Sequence, residues 1–188
     1  MYWILTNELV DEDLDVDLEG TFSTGSDDGI SFDDGEELAL HITGTLTLSG
    51  LPRGNWTDHL SVGEIPGLVF SDRLCRLLRD MRLTSLQYFP LRIAGAPDSA
   101  TGGDYWIANV VGVVDCVDRD ASDLEYFKDG DIEFINSLVL DEASIPPGLD
   151  IFRLAGRPTL VVVSQALKDA ILDAGMTGFV FRRPEDCN

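Results

Sequence analysis

Asp15, Asp17, Glu19 and Gly20 fall at the first, third, fifth and sixth positions of a calcium-binding EF-hand loop. The bidentate Glu that such a loop needs at its twelfth position is replaced by Ser26, and no helices flank the stretch. The pattern therefore predicts no calcium site. The two histidines, His41 and His59, offer little more. His41 lies on the polar side of an alternating run, and His59 sits beside Asp58 in a stretch that reads as a loop. A Ser/His/Asp or Cys/His group can be assembled from these residue types, but no spacing positions it, and no GxSxG occurs. Neither GxGxxG nor GxxxxGK[ST] is present to cradle a nucleotide. Cys75, Cys116 and Cys187 are odd in number without a CxxC, which points to reduced thiols and away from a disulfide or zinc framework. Carboxylate pairs are too frequent to single out a glycosidase couple. The expectation is a chain with no catalytic residues, no metal and no cofactor.

Charge is the dominant signal. Thirty-four Asp and Glu against thirteen Lys and Arg leave a formal charge of −21. Residues 8–37 contain no base at all, and Asp11, Asp13, Asp15, Asp27, Asp28, Asp33 and Asp34 crowd them. Asp115, Asp118, Asp120 and Asp123 form a second acidic loop. Like charges at this density oppose close packing, so the first stretch reads as a solvated, partly mobile loop, with short strand pieces near Phe22 and Phe32. Such a protein repels nucleic acid and steers basic partners toward itself; solubility in salty or acid-rich surroundings is the alternative reading. Arg73, Arg76, Arg79 and Arg82 run against this trend on one helix. They serve either as partners for the protein's own carboxylates or as a second contact surface.

Two stretches must position these groups. Residues 160–163 read as a buried strand, Ser164 as a helix N-cap, and Leu167, Ala170, Ile171 and Ala174 as one helical face. Gly175 suits the left-handed residue that ends the helix, and residues 178–181 return as a strand. An earlier stretch repeats the pattern: Ser71 aligns with Ser164, Leu74 with Leu167, Leu78 with Ile171 and Thr84 with Thr177. Internal duplication and two independent capped helices both explain it. Residues 38–48 alternate as a half-wet strand, residues 50–67 read as loop, and residues 105–114 form one apolar central strand. Residues 129–131 read as a tight turn and 132–140 as a strand. The fold class is α+β, a mixed or antiparallel sheet with two principal helices, each inside a strand–helix–strand unit. The chain reads as one domain, with an acidic N-terminal lobe over residues 1–65. No apolar run approaches membrane-helix length, and the opening residues lack a basic flank and a signal core, which predicts a cytoplasmic protein that binds no membrane.

Several runs together carry a resemblance. They are Val69-Phe-Ser-Asp-Arg-Leu74; Tyr105-Trp-Ile-Ala-Asn-Val with Val114-Asp-Cys-Val-Asp118; Ile151-Phe-Arg-Leu-Ala-Gly156 leading to Ser164; and the helix from Leu167 to Gly178. This part, residues 66–188 with the opening Tyr2-Trp-Ile-Leu, is similar to the myxobacterial-type immunity-protein domain of bacterial polymorphic toxin systems. The resemblance implies a non-enzymatic cytoplasmic protein that binds and neutralises a cognate toxin delivered between cells, often by type VI secretion, with nucleases among such toxins. It carries over no catalytic residue. A nuclease presents a basic groove to phosphate, so the two acidic stretches, residues 11–34 and 115–123, are the expected contact surface. An adaptor or chaperone for a secreted effector is the alternative, and an enzyme with an unrecognised site is a third.

Overall fold

The computed structural model describes residues 1–7, 17–19, 31–38, 46–49, 56–60, 67–93 and 105–187. Its strands, in chain order, are β1 (Tyr2–Asn7), β2 (Asp17–Glu19), β3 (Leu46–Ser49), β4 (His59–Leu60) and β5 (Leu68–Ser71). After helix α1 (Asp72–Asp80) come β6 (Leu86–Ile93), β7 (Tyr105–Val110), β8 (Val113–Val114), β9 (Asp123–Tyr126), β10 (Ile132–Ser137), β11 (Ile151–Leu154) and β12 (Arg157–Ser164). Helix α2 (Gln165–Asp173) and strand β13 (Phe179–Arg182) complete the chain, with short 3-10 turns at Glu142–Ser144 and Pro184–Asp186. The fold is α+β. One sheet has the order β13–β1–β12–β11–β8, a second β2–β3–β6–β7–β5–β4, and β9–β10 stand apart as a hairpin. Neither helix is long enough to cross a membrane.

The register answers the question of the repeat. Within the two sheets, β4–β5–β7–β6 and β11–β12–β1–β13 run in the same order with every pair antiparallel. Ser71 faces Tyr105 as Ser164 faces Tyr2, and Leu86 faces Val110 as Phe179 faces Asn7. The helix ends agree as well. Ser71 Oγ accepts from the Leu74 N–H and Ser164 Oγ from the Leu167 N–H, at 3.2 and 3.1 Å. Arg82 and Gly175 both take left-handed backbone, at φ 59° and 62°. The following N–H groups of Leu83 and Met176 donate to Leu78 O and Ile171 O. Even the tryptophans match: Trp106 Nε1 donates to Asp72 and Trp3 Nε1 to Gln165, each the first residue of its helix. One structural unit is therefore used twice. In the second copy the strand between β12 and β13 comes from the chain's opening residues.

The two copies close on one core. Leu74, Cys75 and Leu78 of α1 and Leu167 and Ile171 of α2 share a cluster with Phe70, Ala108 and Val110 of one sheet. Leu5, Ile151, Val161 and Val163 of the other sheet complete it. Because successive strand residues point to opposite faces, Ile4, Phe152, Leu154 and Val162 turn away from the helices. They build a second cluster with Cys116, Leu138 and Ile145. That second layer is why the middle of β12, Leu160–Val163, is apolar on both faces.

Several readings need correction. Residues 105–114 are not one strand. The run breaks at Gly112, whose φ of 104° favours glycine, and its end, β8, joins the other sheet parallel to β11. The stretch read as loop over residues 50–67 contains β4, so His59 is a buried strand residue paired with Phe70. Phe32 lies in a bend, not a strand, and is buried with Gly35, while Asp34, Glu36 and Glu37 beside it are exposed. Of the expected strand over residues 38–48, β3 covers Leu46–Ser49, Leu38 is outside any strand, and 39–45 lie outside the described residues. The strand after the 129–131 turn stops at Ser137.

Candidate functional site

Asp115, Asp118, Asp120 and Asp123 come together after β8 as a folded acidic loop. Asp118 organises it. Its Oδ1 accepts the N–H groups of Asp120 and Ala121 at 3.2 and 3.0 Å, and its backbone bonds Val139 and Ser122. Asp115, Asp120 and Asp123 are exposed, and Asp115 lies 3.7 Å from Arg119. The loop runs directly into hairpin β9–β10, which adds Glu125, Asp129, Asp131 and Glu133 to the same acidic stretch.

Of the other acidic stretch, only Asp17–Glu19 and residues from 31 onward are described. Asp34 is exposed, whereas Asp33 is half-buried and its Oδ1 lies 3.2 Å from Arg153 Nη2. Asp11, Asp13, Asp15, Asp27 and Asp28 lie outside the described residues. The two stretches meet at the backbone: the Gly112 N–H donates to Gly35 O at 2.8 Å, one residue from Asp34 and three from Asp115. Arg153, 1% exposed, holds this junction. Its guanidinium donates to Phe32 O, Pro158 O and Val110 O, at 2.5, 2.6 and 3.3 Å, and pairs with Asp33. Burial pulls the Arg153 guanidinium down from its ordinary value, and the nearby Asp33 and Asp34 carboxylates oppose that. Nothing in the sequence singled out Arg153, since two of the three carbonyls it satisfies, those of Phe32 and Val110, are distant in the chain.

A second polar centre lies between the two repeat units. The Asp58 carboxylate is buried and accepts from Ser71 Oγ at 2.7 Å, from Arg73 Nη2 at 2.7 Å and from the Thr177 N–H at 2.9 Å. Burial alone would raise this carboxyl. The hydrogen bonds from Arg73, Ser71 and Thr177, with the Arg73 charge, outweigh it and hold Asp58 below its ordinary value. Ser71 thus gives its proton to Asp58 and its lone pair to the helix. His59, next in sequence, is 2% exposed against Phe70 and Phe179. Neither ring nitrogen has a hydrogen-bond partner among the described residues, and burial pushes its pKa down to about 3. The Ser, His and Asp of this corner therefore make a structural lock rather than a proton relay, because the imidazole touches neither oxygen.

The arginines of α1 are largely engaged within the molecule. Arg73 pairs with Asp58, Arg76 with Asp72, and Arg79 stacks over Tyr88 and Trp106. Among the described residues no group of three or more His, Cys, Asp or Glu side chains gathers to hold a metal. The sequence reading also passed over the exposed aromatics of the hairpin, Tyr126, Phe127 and Phe134. Their signal was an aromatic pair set against a turn inside an acidic run. The arrangement as a whole suits binding by charge and contact.

The family model of the immunity protein family (Imm11) matches residues 44–186, beginning ahead of residue 66. A search of curated proteins finds no match.

Proposed function

The chain belongs to the immunity protein family Imm11, and from that membership we propose that it binds one cognate toxin, a nuclease, and blocks its basic groove with acidic loops. The family points to toxin neutralisation; the target and the mode are our reading. The observation that carries the mode is the acidic loop folded around Asp118, with Asp115, Asp120 and Asp123 exposed, which continues into a hairpin of the same sign. Carboxylates on a loop that Asp118 folds by backbone hydrogen bonds can stand where nucleic-acid phosphates would lie, and their field speeds encounter with a basic surface. Asp33 and Asp34, with Asp11, Asp13, Asp15, Asp27 and Asp28, extend the proposed surface. The protein works in the cytoplasm of the cell that makes it, where an injected nuclease would act.

The test uses the reading frame adjacent to this gene. Its product should be lethal alone and harmless when co-expressed with this chain, and one equivalent of purified protein should abolish its nuclease activity. An effector that stays fully active in a stable complex would instead make this chain an adaptor. Reversing Asp115, Asp120 and Asp123 to Lys together should slow association and flatten its salt dependence. An unchanged association rate would reduce the loop to solvated surface.

A further inference from the structure

Hairpin β9–β10 belongs to neither large sheet, yet it is firmly held. Ile132 is buried, its N–H donates to Gly156 O at 2.8 Å, and the Arg157 guanidinium donates to the carbonyls of Ile132 and Glu133. The hairpin also exposes three aromatic rings. Tyr126, Phe127 and Phe134 are 40%, 50% and 57% exposed, and they account for half of the large exposed hydrophobics among the described residues. Arg119 steadies the Tyr126 ring, with its guanidinium 5.6 Å from the ring centre and Nη1 3.3 Å from the hydroxyl.

We propose that the exposed rings of this hairpin, Tyr126, Phe127 and Phe134, are the apolar anchors of the contact with the toxin, a basic protein surface carrying apolar recesses. This rests on the toxin-binding reading above and names the part of the molecule that does it. Charge decides the kind of partner. Residues 115–135 hold eight acids against two bases, and one of the bases, Arg119, is engaged with Asp115 and Tyr126. Nucleic acid and anionic membranes are repelled, whereas a basic protein is drawn in. Aromatic side chains on a braced backbone lose little freedom on binding and supply the few contacts that dominate interface energies. The carboxylates at the rim govern encounter, and the rings govern residence.

That division gives the test. The probe is the polypeptide of the adjacent reading frame, inactivated at its own active site and immobilised for binding kinetics. Replacing Tyr126, Phe127 and Phe134 together with Ser should raise the dissociation rate by about 30-fold or more while leaving the association rate within about threefold. Thermal melting reports whether the variant is folded; should it not be, Phe127→Ser alone, at the tip, should speed dissociation by about tenfold. In the unaltered complex, amide exchange should slow across residues 123–137. A dissociation rate within twofold of the unaltered chain, with no slowed exchange in the hairpin, would overturn the proposal and leave the toxin-binding reading standing. No binding by the unaltered chain would remove both. Co-sedimentation with neutral phosphatidylcholine vesicles that the triple variant loses would assign the rings to a membrane instead and overturn it too.

Discussion

The two repeat units have the same strand order, register and helix caps, yet they fill equivalent corners with different chemistry. Before its cap serine the first unit places Asp58 and His59, and the second places Asp150 and Ile151. Asp58 binds Ser71 and also reaches Arg73 and the turn of the other unit at Thr177, whereas Asp150 meets its own cap at Ser164 Oγ. Geometry is thus set by what the copies share, and the joint between them by what they do not.

The shared part should be the most sensitive. Leu78 and Ile171 are equivalent, both buried in the common core. Truncating either to Ala should cost about 3–4 kcal/mol, nearly the same for both, in denaturant unfolding. A difference beyond about 1.5 kcal/mol would show that the copies contribute unequally to the core.

The next largest effect should be asymmetric. Asp58→Ala leaves the Ser71 hydroxyl and the Thr177 N–H without their acceptor and Arg73 with only the Gly175 carbonyl, and should cost about 3 kcal/mol. Asp150→Ala removes one hydrogen bond to Ser164 and should cost about 1 kcal/mol. Because Asp58 is held below its ordinary value when folded, its contribution is complete above pH of about 4 and is lost as pH falls through that lower value. Equal costs for the two substitutions would mean that the Asp58 contacts between units add nothing.

This asymmetry also marks how far sequence reading reaches. The strand–Ser–helix–strand units were legible because the cap, the helical face and, in the second unit, the closing Gly175 all lie within about 20 residues. The pairing that completes the second unit was not, since β1 meets β12 across most of the chain and pairing of that kind leaves no local periodicity. Residues 105–114 misled for a related reason: burial by two different sheets gives the same continuous apolar run as burial by one. The acidic loops could be named, but the folding of Asp118 back on its own turn could not. Nor could the half-engagement of Asp33, because Arg153, its partner, sits in a run that reads as an ordinary buried strand. The hairpin's first strand, Asp123–Tyr126, is four residues of mixed polarity and gave too weak an alternation to stand out.

His59 offers a pH test of the same contrast. It stands where the second unit has Ile151, in an apolar setting that pushes it to about 3 when folded, against about 6.5 in an unfolded chain. Between those values the unfolded chain binds a proton that the folded one refuses, so stability falls as the medium is acidified. Lowering pH from 7 to 5 should therefore remove about 2 kcal/mol more from the natural chain than from His59→Ile, measured by urea midpoints at each pH. Identical acid sensitivity in the two proteins would mean that the His59 site admits water or a partner for the imidazolium.

The smallest effect isolates the backbone. Arg82 and Gly175 close the two helices in the same left-handed conformation, which costs an ordinary residue about 1 kcal/mol and glycine almost nothing. Part of that strain is recovered because arginine loses less chain freedom on folding than glycine. Arg82→Gly should therefore stabilise the protein and Gly175→Ala destabilise it, each by about 0.5 kcal/mol. Opposite signs at equivalent positions follow from a shared backbone and from nothing else about the two sites. If Arg82→Gly instead lowers the melting temperature, the exposed Arg82 side chain supports the first unit through contacts that outweigh its strained backbone, and the copies differ at this turn as they do at the Asp58 corner.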